Sequence, residues 1–464
     1  MHPVRICLHL GATLAAAALA LSLPVPAHAQ GYGVFEQSSC VMGRAGTSVA
    51  SPCGDGSSIY FNPAGIASAT TTEVAAGATG IFVSGDFTND VTGFRTSLNS
   101  DMHLVPHGYL VRPISGRLVA GLGVFVPYGL ATDWPSDFEG RFLGYHSKVQ
   151  AIYVQPTLAA RISPRIRVGA GFDLTFVSVR LDQRLDLSQQ ATPTPGVTFG
   201  MLGVPAGTDF ADVNLTGNGT GVGGHFGVQV DLRPDLTLGA RYLLRQTVDF
   251  GNGTAEINPV STGLILAAGN PFGVPAGTPL DAVLAPQFTA GGPLETQGGG
   301  TSLTLPAQLV VGLSWRGVDR LNLLADFQYT DWRVFDTLSV TLERLGTTNI
   351  PEDYRRAYTW RFGAEYGLSP TSTIRGGFYT HNAAAPDQTV TPNLPEGHRN
   401  SWTLGFGTRL GSNLGVDVAY QFIDQGDRRG RTVPLDPALA PSENTNGLYT
   451  FKAHLFGATL RYAF

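Results

Sequence analysis

The sequence predicts an all-β fold, a fourteen-stranded antiparallel transmembrane β-barrel with a small N-terminal hatch, or plug, in its lumen. Three observations carry that expectation. Apolar and polar residues alternate with period two in segment after segment between Glu73 and Phe464. Very short joints take turns with long segments, as a barrel with tight periplasmic turns and long outer loops requires. The 464 residues include 59 glycines and only 14% charged residues, against roughly 25% in a soluble domain. After residue 29 no apolar run reaches the ~20 residues of a spanning helix.

Residues 1–29 read as a signal peptide. Arg5 supplies a positive start, Ile6 to Leu23 an apolar run, and Ala27-His28-Ala29 a small-residue cleavage site. The mature chain then starts at Gln30 in an oxidising compartment. Cys7 leaves with the signal. Cys40 and Cys53 remain and read as a disulfide; two unpaired small residues in a packed plug are the other reading. Residues 30–72 form the hatch. They are rich in glycine and show little alternation, yet carry apolar Val34, Phe35, Val41, Met42, Ile59, Tyr60 and Phe61. A compact segment inside the barrel accounts for them better than a disordered arm.

The barrel occupies 73–464. In its last strand Phe456, Ala458, Leu460, Tyr462 and Phe464 share one face, and Gly457, Thr459, Arg461 and Ala463 the other. Trp360, Phe362, Ala364, Tyr366 and Leu368 alternate with Thr359, Arg361, Gly363, Glu365 and Gly367 in the same way. The polar face repeatedly carries charge, as at Asp173, Arg241, Asp326, Arg409 and Asp417. A β-sandwich also alternates. The barrel is preferred because the chain is exported and ends on a strand that can close the sheet. Trp315, Trp332, Trp360, Trp402, Tyr366 and Tyr462 near strand ends also suit interfacial girdles. Tight joints are expected at Ser115-Gly116, Ser163-Pro164-Arg165, Arg233-Pro234-Asp235, Gly317-Val318-Asp319, Ser369-Pro370-Thr371 and Gly411-Ser412-Asn413. Long outer loops are expected at Leu181 to Leu215, Asp249 to Ser302 and Ile423 to Leu448. Gly121, Gly123 and Pro127 in the third strand mark a bulge or a weak edge.

Several functions are set aside. The net charge of -5 argues against nucleic acid. The match Gly219-x-Gly221-x-x-Gly224 lacks a following helix, the histidines lack metal-ligand spacing, and no nucleophile elbow is present. The chain is therefore read as a non-enzyme without cofactor or metal.

Ordered runs then point to a family. They are Gly31-Tyr32-Gly33-Val34-Phe35-Glu36-Gln37, Met42-Gly43-Arg44-Ala45-Gly46 and Ser57-Ser58-Ile59-Tyr60-Phe61-Asn62-Pro63-Ala64-Gly65. Later runs are Pro127-Tyr128-Gly129-Leu130-Ala131-Thr132-Asp133, Trp332-Arg333-Val334-Phe335-Asp336 and Thr391-Pro392-Asn393-Leu394-Pro395. Together they resemble the FadL-type outer-membrane transporters of long-chain fatty acids and other hydrophobic compounds. The resemblance implies a plugged fourteen-stranded barrel, energy-independent transport, and a kinked third strand that opens the wall sideways. It also implies ligand capture in an apolar groove of outer loops, where this chain has Phe199, Met201, Leu202, Leu264, Ile265, Leu266 and Phe272. Arg241, Arg361 and Arg375 are candidates to meet a carboxylate in a dry lumen; pairing with Asp173, Asp326 and Glu365 is the commoner use of such residues.

The expected reading is passive outer-membrane transport of a long-chain fatty acid or another hydrophobic molecule by a monomer, with hatch-gated lateral release. Its other partners would be outer-membrane lipid and the outer-membrane barrel assembly machinery. A hydrophilic porin, a lipid hydrolase and an adhesin are the alternatives.

Overall fold

The computed structural model describes residues 31–192, 194–430 and 446–464. Residues 1–29, read above as a signal peptide, and Gln30 lie outside the described residues, as do 431–445 of the expected loop Ile423 to Leu448.

One closed antiparallel sheet forms the wall. Its strands are β1 (Glu73–Asn89), β2 (Met102–Pro113), β3 (Leu118–Asp133), β4 (His146–Ser163), β5 (Ile166–Asp186), β6 (Asp209–Arg233) and β7 (Leu236–Leu243, continued by Gln246–Pro259). They continue through β8 (Gln297–Leu305, continued by Gln308–Val318), β9 (Leu321–Asp331), β10 (Arg356–Gly367), β11 (Ser372–His381), β12 (Arg399–Leu410), β13 (Leu414–Gly430) and β14 (Gly447–Ala463). β14 pairs with β1 from Glu73↔Ala463 to Asn89↔Gly447. That closure satisfies the edge backbone groups that lipid cannot. The alternation follows the sheet. Phe456, Leu460 and Tyr462 face outward, while Asp173, Asp326, Arg361 and Asp417 are buried in the lumen.

Two expectations change. The girdle residues Trp360, Trp402, Tyr366 and Tyr462 are exposed on the outer face, but Trp332 is fully buried. It follows the end of β9, where the chain turns inward through a short 3-10 turn, Trp332–Val334. Its ring packs on Tyr32, with centroids 4.6 Å apart. The outer loops are also shorter than expected, because β5, β6 and β7 remain paired well beyond the positions read as loop. β5 and β6 pair out to Asp186↔Asp209, and β6 and β7 from Thr216↔Thr254 to Ala211↔Pro259. A further hairpin, Thr337–Leu342 with Gly346–Pro351, stands between β9 and β10 and pairs with β8 at Gly299↔Leu342.

The segment 31–68 lies in the lumen, tied to strands around the whole wall. Ser39 N–H donates to Thr459 Oγ1 at 3.0 Å, Ala45 N–H to Thr403 Oγ1 at 3.0 Å, and Ser48 N–H to Asp326 Oδ2 at 2.9 Å. Gln155 Nε2 donates to the Ile59 carbonyl at 2.9 Å. Cys40 and Cys53 are joined by a disulfide with Cα atoms 6.3 Å apart. Asn62 is the pivot of the Asn62-Pro63-Ala64 run. Its Oδ1 accepts from Ala64 N–H at 3.1 Å and so caps the 3-10 helix Pro63–Ser68. Its Nδ2 donates to the Val49 and Val228 carbonyls. The wall opposite is glycine by necessity. A Cβ at Gly227 would stand 2.0 Å from Asn62 Oδ1, and one at Gly169 would stand 2.4 Å from the Pro63 carbonyl carbon.

Candidate functional site

The wall has a gap between β2 and β3. β2 pairs with β1 from Met102 to Val111, but with β3 only from Gly108↔Val124 to Pro113↔Val119. Beyond Val124, β3 keeps its other neighbour, β4, through an irregularity between Phe125 and Tyr128 where Pro127 sits. Proline has no N–H for a ladder, so it fits a bulge. Toward the outer end the gap closes again, where Asn99 N–H donates to the Asp133 carbonyl at 2.8 Å.

Backbone groups facing such a gap need partners, and the N-terminal segment supplies them. Val34 N–H donates to the Pro127 carbonyl at 2.9 Å, and Gly129 N–H donates to the Tyr32 carbonyl at 2.9 Å. Gln37 serves Val126 twice: its Oε1 accepts from Val126 N–H at 3.0 Å and its Nε2 donates to the Val126 carbonyl at 2.6 Å. Gly121 and Gly123 lie lower, in the paired part of β3. A Cβ at either would come within 2.8 Å of Ile59, so they make room for the lumen segment.

Two cavities adjoin here. The inner one, about 360 Å³, runs from the gap, at Met102, Leu104 and Val126, to Phe35, Arg399 and Gln425. The outer one, about 320 Å³, is walled by Val149, Val179, Phe250, Leu303 and Leu338, with Glu352 among them. Tyr32, Leu130, Lys148 and Leu394 border both and form the neck between them. The outer cavity is lined mainly by apolar side chains. Burial and the adjacent Asp353 push the Glu352 carboxyl up to about 8.

The neck is positioned by a loop that folds inward between β11 and β12. Asn393 anchors it, accepting from Ser147 Oγ at 2.8 Å and donating to the Leu143 carbonyl at 2.8 Å. Trp134 Nε1 donates to the Pro392 carbonyl at 3.1 Å. Glu396, fully buried, accepts from Gly31 N–H at 2.7 Å and from the Ala384 and Ala385 N–H groups. The loop and the start of the lumen segment are therefore held as one unit.

The sequence candidates fall in three places. Phe199 is buried in an outer-loop cluster with Leu187, Phe210, Leu280 and Leu284, and stacks on Phe272 at 5.8 Å. Leu264, Leu266 and Phe272 pack partly buried against that cluster, whereas Met201, Leu202 and Ile265 are exposed. None of these seven borders either cavity. The three arginines lie deeper and border neither cavity. Arg375 is paired with Glu365 and Asp417, both at 2.7 Å. Arg241 donates to Gln308 Oε1 at 2.9 Å and lies over the Tyr60 ring. Arg361 lies over the Phe35 ring at 4.1 Å. Gly31, Tyr32, Val34 and Phe35 do line the inner cavity, while Asn62, Pro63 and Ala64 anchor the segment below it.

Sequence reasoning missed Glu352, Leu130, Phe250 and Leu303. They come from separate strands and loops and carry no shared local pattern. Among the described residues no group of histidine, cysteine and carboxylate side chains is disposed to hold a metal.

Known proteins match over nearly the whole chain. Residues 20–464 fit the family model "Outer membrane protein transport protein (OMPP1/FadL/TodX)". The long-chain fatty acid transport protein of Escherichia coli O6:H1 is 25% identical, covering 94% of each chain. Outer membrane protein P1 of Haemophilus influenzae is 22% identical over 94% of this chain and 96% of its own. Among solved structures, a Pseudomonas aeruginosa FadL homologue superposes with a TM-score of 0.74 at 20% identity, covering 93% of this chain and 99% of its own. The Pseudomonas putida toluene transporter TodX gives 0.66 at 16% identity, covering 94% and 99%. At these identities the two structures speak to the fold alone.

Proposed function

Because the chain belongs to the OMPP1/FadL/TodX family of outer-membrane transport proteins, we propose that it carries long-chain fatty acids or other hydrophobic small molecules through the outer membrane by a downhill, hatch-gated lateral route. The ligand leaves water for the apolar outer cavity and passes the neck at Tyr32, Leu130 and Leu394. It then occupies the inner cavity and exits through the gap between β2 and β3. The segment 31–68 is the hatch. Its backbone bonds to β3 stand in for the missing ladder, so exchanging them for bonds to water or ligand opens the gap without disturbing the barrel.

What supports this reading most is that the two cavities adjoin and that the inner one reaches a break in the wall. A hydrophilic porin would need an open lumen, and here the N-terminal segment fills it. The relatives named for fatty acid and for toluene support cargo of either kind. The outer leaflet's sugars obstruct apolar solutes, so an apolar path through protein is the useful device.

The neck offers the test. Leu130→Trp, on β3 where it borders both cavities, and Leu394→Trp, on the inward loop, narrow the passage without changing an outward-facing side chain. Uptake of a fluorescent long-chain fatty acid into proteoliposomes should fall at least tenfold in each variant, with the barrel still folded by circular dichroism. Unchanged uptake in both would sink the route.

A further inference from the structure

Glu352 is a carboxyl group in an apolar place. It follows the outer hairpin Thr337–Pro351, and its backbone is fixed: its N–H donates to the Asp336 carbonyl at 2.7 Å and its carbonyl accepts from Thr389 Oγ1 at 2.6 Å. Its side chain borders the outer cavity beside Leu338, Ile350 and Tyr354. Among the described residues its carboxyl oxygens have no hydrogen-bond or ion-pair partner. A polar group in such a setting is costly unless something binds it.

The groups around it do not neutralise it. Asp353 is next in the chain, and Tyr32 and Tyr354 face it from the lumen segment and from its own strand approach. Beyond Tyr354 lie Glu396, bound by backbone N–H groups, and Arg428, paired with Asp387. Arg180 borders the cavity but is paired with Asp182 at 2.8 Å. Lys148 borders it at the neck, on a strand where Ser147, Ala151 and Tyr153 point inward and Lys148 remains exposed.

We propose that Glu352 makes the outer cavity selective for amphiphiles that carry a hydrogen-bond acceptor, such as alcohols, ketones and esters, over plain hydrocarbons. This rests on the transport reading above. Protonated, the carboxyl donates a hydrogen bond to the ligand oxygen in a cavity walled mainly by apolar side chains, where such a bond is stronger than in open water. Ionised, it can no longer donate, and a ligand oxygen that only accepts, as in a ketone or an ester, loses its partner.

The sign of the pH effect follows. With the Glu352 carboxyl held up to about 8, the donor is present at neutral pH and is lost as pH rises through that value. Capture of a ketone or ester therefore weakens on the alkaline side, while capture of an alcohol, whose O–H can donate to the carboxylate, and of a plain alkane does not.

The experiment is competition against a fluorescent long-chain probe bound to the full chain in lipid nanodiscs, using decanol, decanone and decane. At neutral pH, decanol and decanone should bind roughly three- to tenfold tighter than decane, the range of one net hydrogen bond. Glu352→Gln still donates, so it should keep the preference and lose the alkaline step. Glu352→Leu should bind decane and decanol alike. A decanone preference that does not fall as pH rises past about 8, or a decanol preference unchanged in Glu352→Leu, would overturn the proposal while leaving the transport reading standing. Failure of all three ligands to compete would overturn both.

Discussion

The lumen segment 31–68 and the outer-loop cluster built on Phe199 are both buried, yet different forces hold them. The segment is fixed by directed polar bonds to the wall, such as Ser48 N–H to Asp326 and Gln37 to Val126, and by close approach at Gly169, where backbone meets backbone, and at Gly227, where the Asn62 side chain sits. The cluster is fixed by undirected apolar contact among Leu187, Phe199, Phe210, Leu280 and Leu284. A part that must detach from the wall and return benefits from bonds that water can replace at little net cost, since a net hydrogen bond is worth only about 1 kcal/mol. A part that must keep its shape while ligand passes benefits from a core. On this view, the polar-tied region is the moving one and the apolar cluster is the frame.

The harshest way to break the comparison is to remove one side of it. Deletion of 30–68 should leave a folded barrel, because the lumen groups it exposes, Asp326, Arg361, Glu365 and Arg375, are at home in water. The deleted protein should pass small solutes freely in a liposome-swelling assay where the full chain does not. A deletion that unfolds the barrel would show that the segment is as much frame as the cluster is.

The opposite blow falls on the cluster. Phe199→Ala removes a buried ring and should cost about 3–5 kcal/mol of local stability, the usual range for emptying such a site. Proteolysis between 187 and 296 should speed up, with the membrane strands intact. Protease resistance equal to the parent's would mean the loops have another source of order.

How much of this was legible in the sequence differs between the same two regions. The barrel and its closure were readable, because a two-residue period and the tight joints, such as Ser115-Gly116 and Gly411-Ser412-Asn413, are local signals. The run Asn62-Pro63-Ala64 was readable too, since it caps itself. Trp332 was misread as interfacial because alternation cannot say where a strand stops, and the chain turns inward just past Asp331. The loop ends were misread because β6 keeps partners on both sides beyond the expected membrane edge. The cavities were illegible. Their walls join Leu130, Phe250, Leu303 and Leu394, residues brought together only by closure.

A finer test lies within the segment. The Cys40–Cys53 bond closes a short loop, a constraint worth about 3 kcal/mol in the chain-entropy account. It ties the two halves of the segment to each other and not to the wall. The double variant Cys40→Ser, Cys53→Ser should therefore raise amide exchange across 39–56 by about a hundredfold, while leaving β1 to β14 unchanged. Non-reduced peptide mass spectrometry should first find the pair bonded in protein taken from the outer membrane. Free thiols at both positions there would remove this constraint from the account.

The smallest expected effect is the most discriminating one for the cluster. Met201 is 72% exposed, Ile265 62% and Leu202 40%, while Phe199 is 2% exposed. Packing therefore uses Phe199 and leaves the other three at the surface, where apolar side chains are useful only if something greasy lands on them. Replacing all three with Ser should leave protease resistance at the parent's level, since little burial is lost. If ligand at any moment half covers one of the three side chains, that contact contributes about 1 kcal/mol of transient binding. Uptake measured far below saturation should therefore fall several-fold, while uptake at saturating ligand stays unchanged. Equal uptake at every concentration would assign capture to the outer cavity by itself, and would leave the cluster as frame alone.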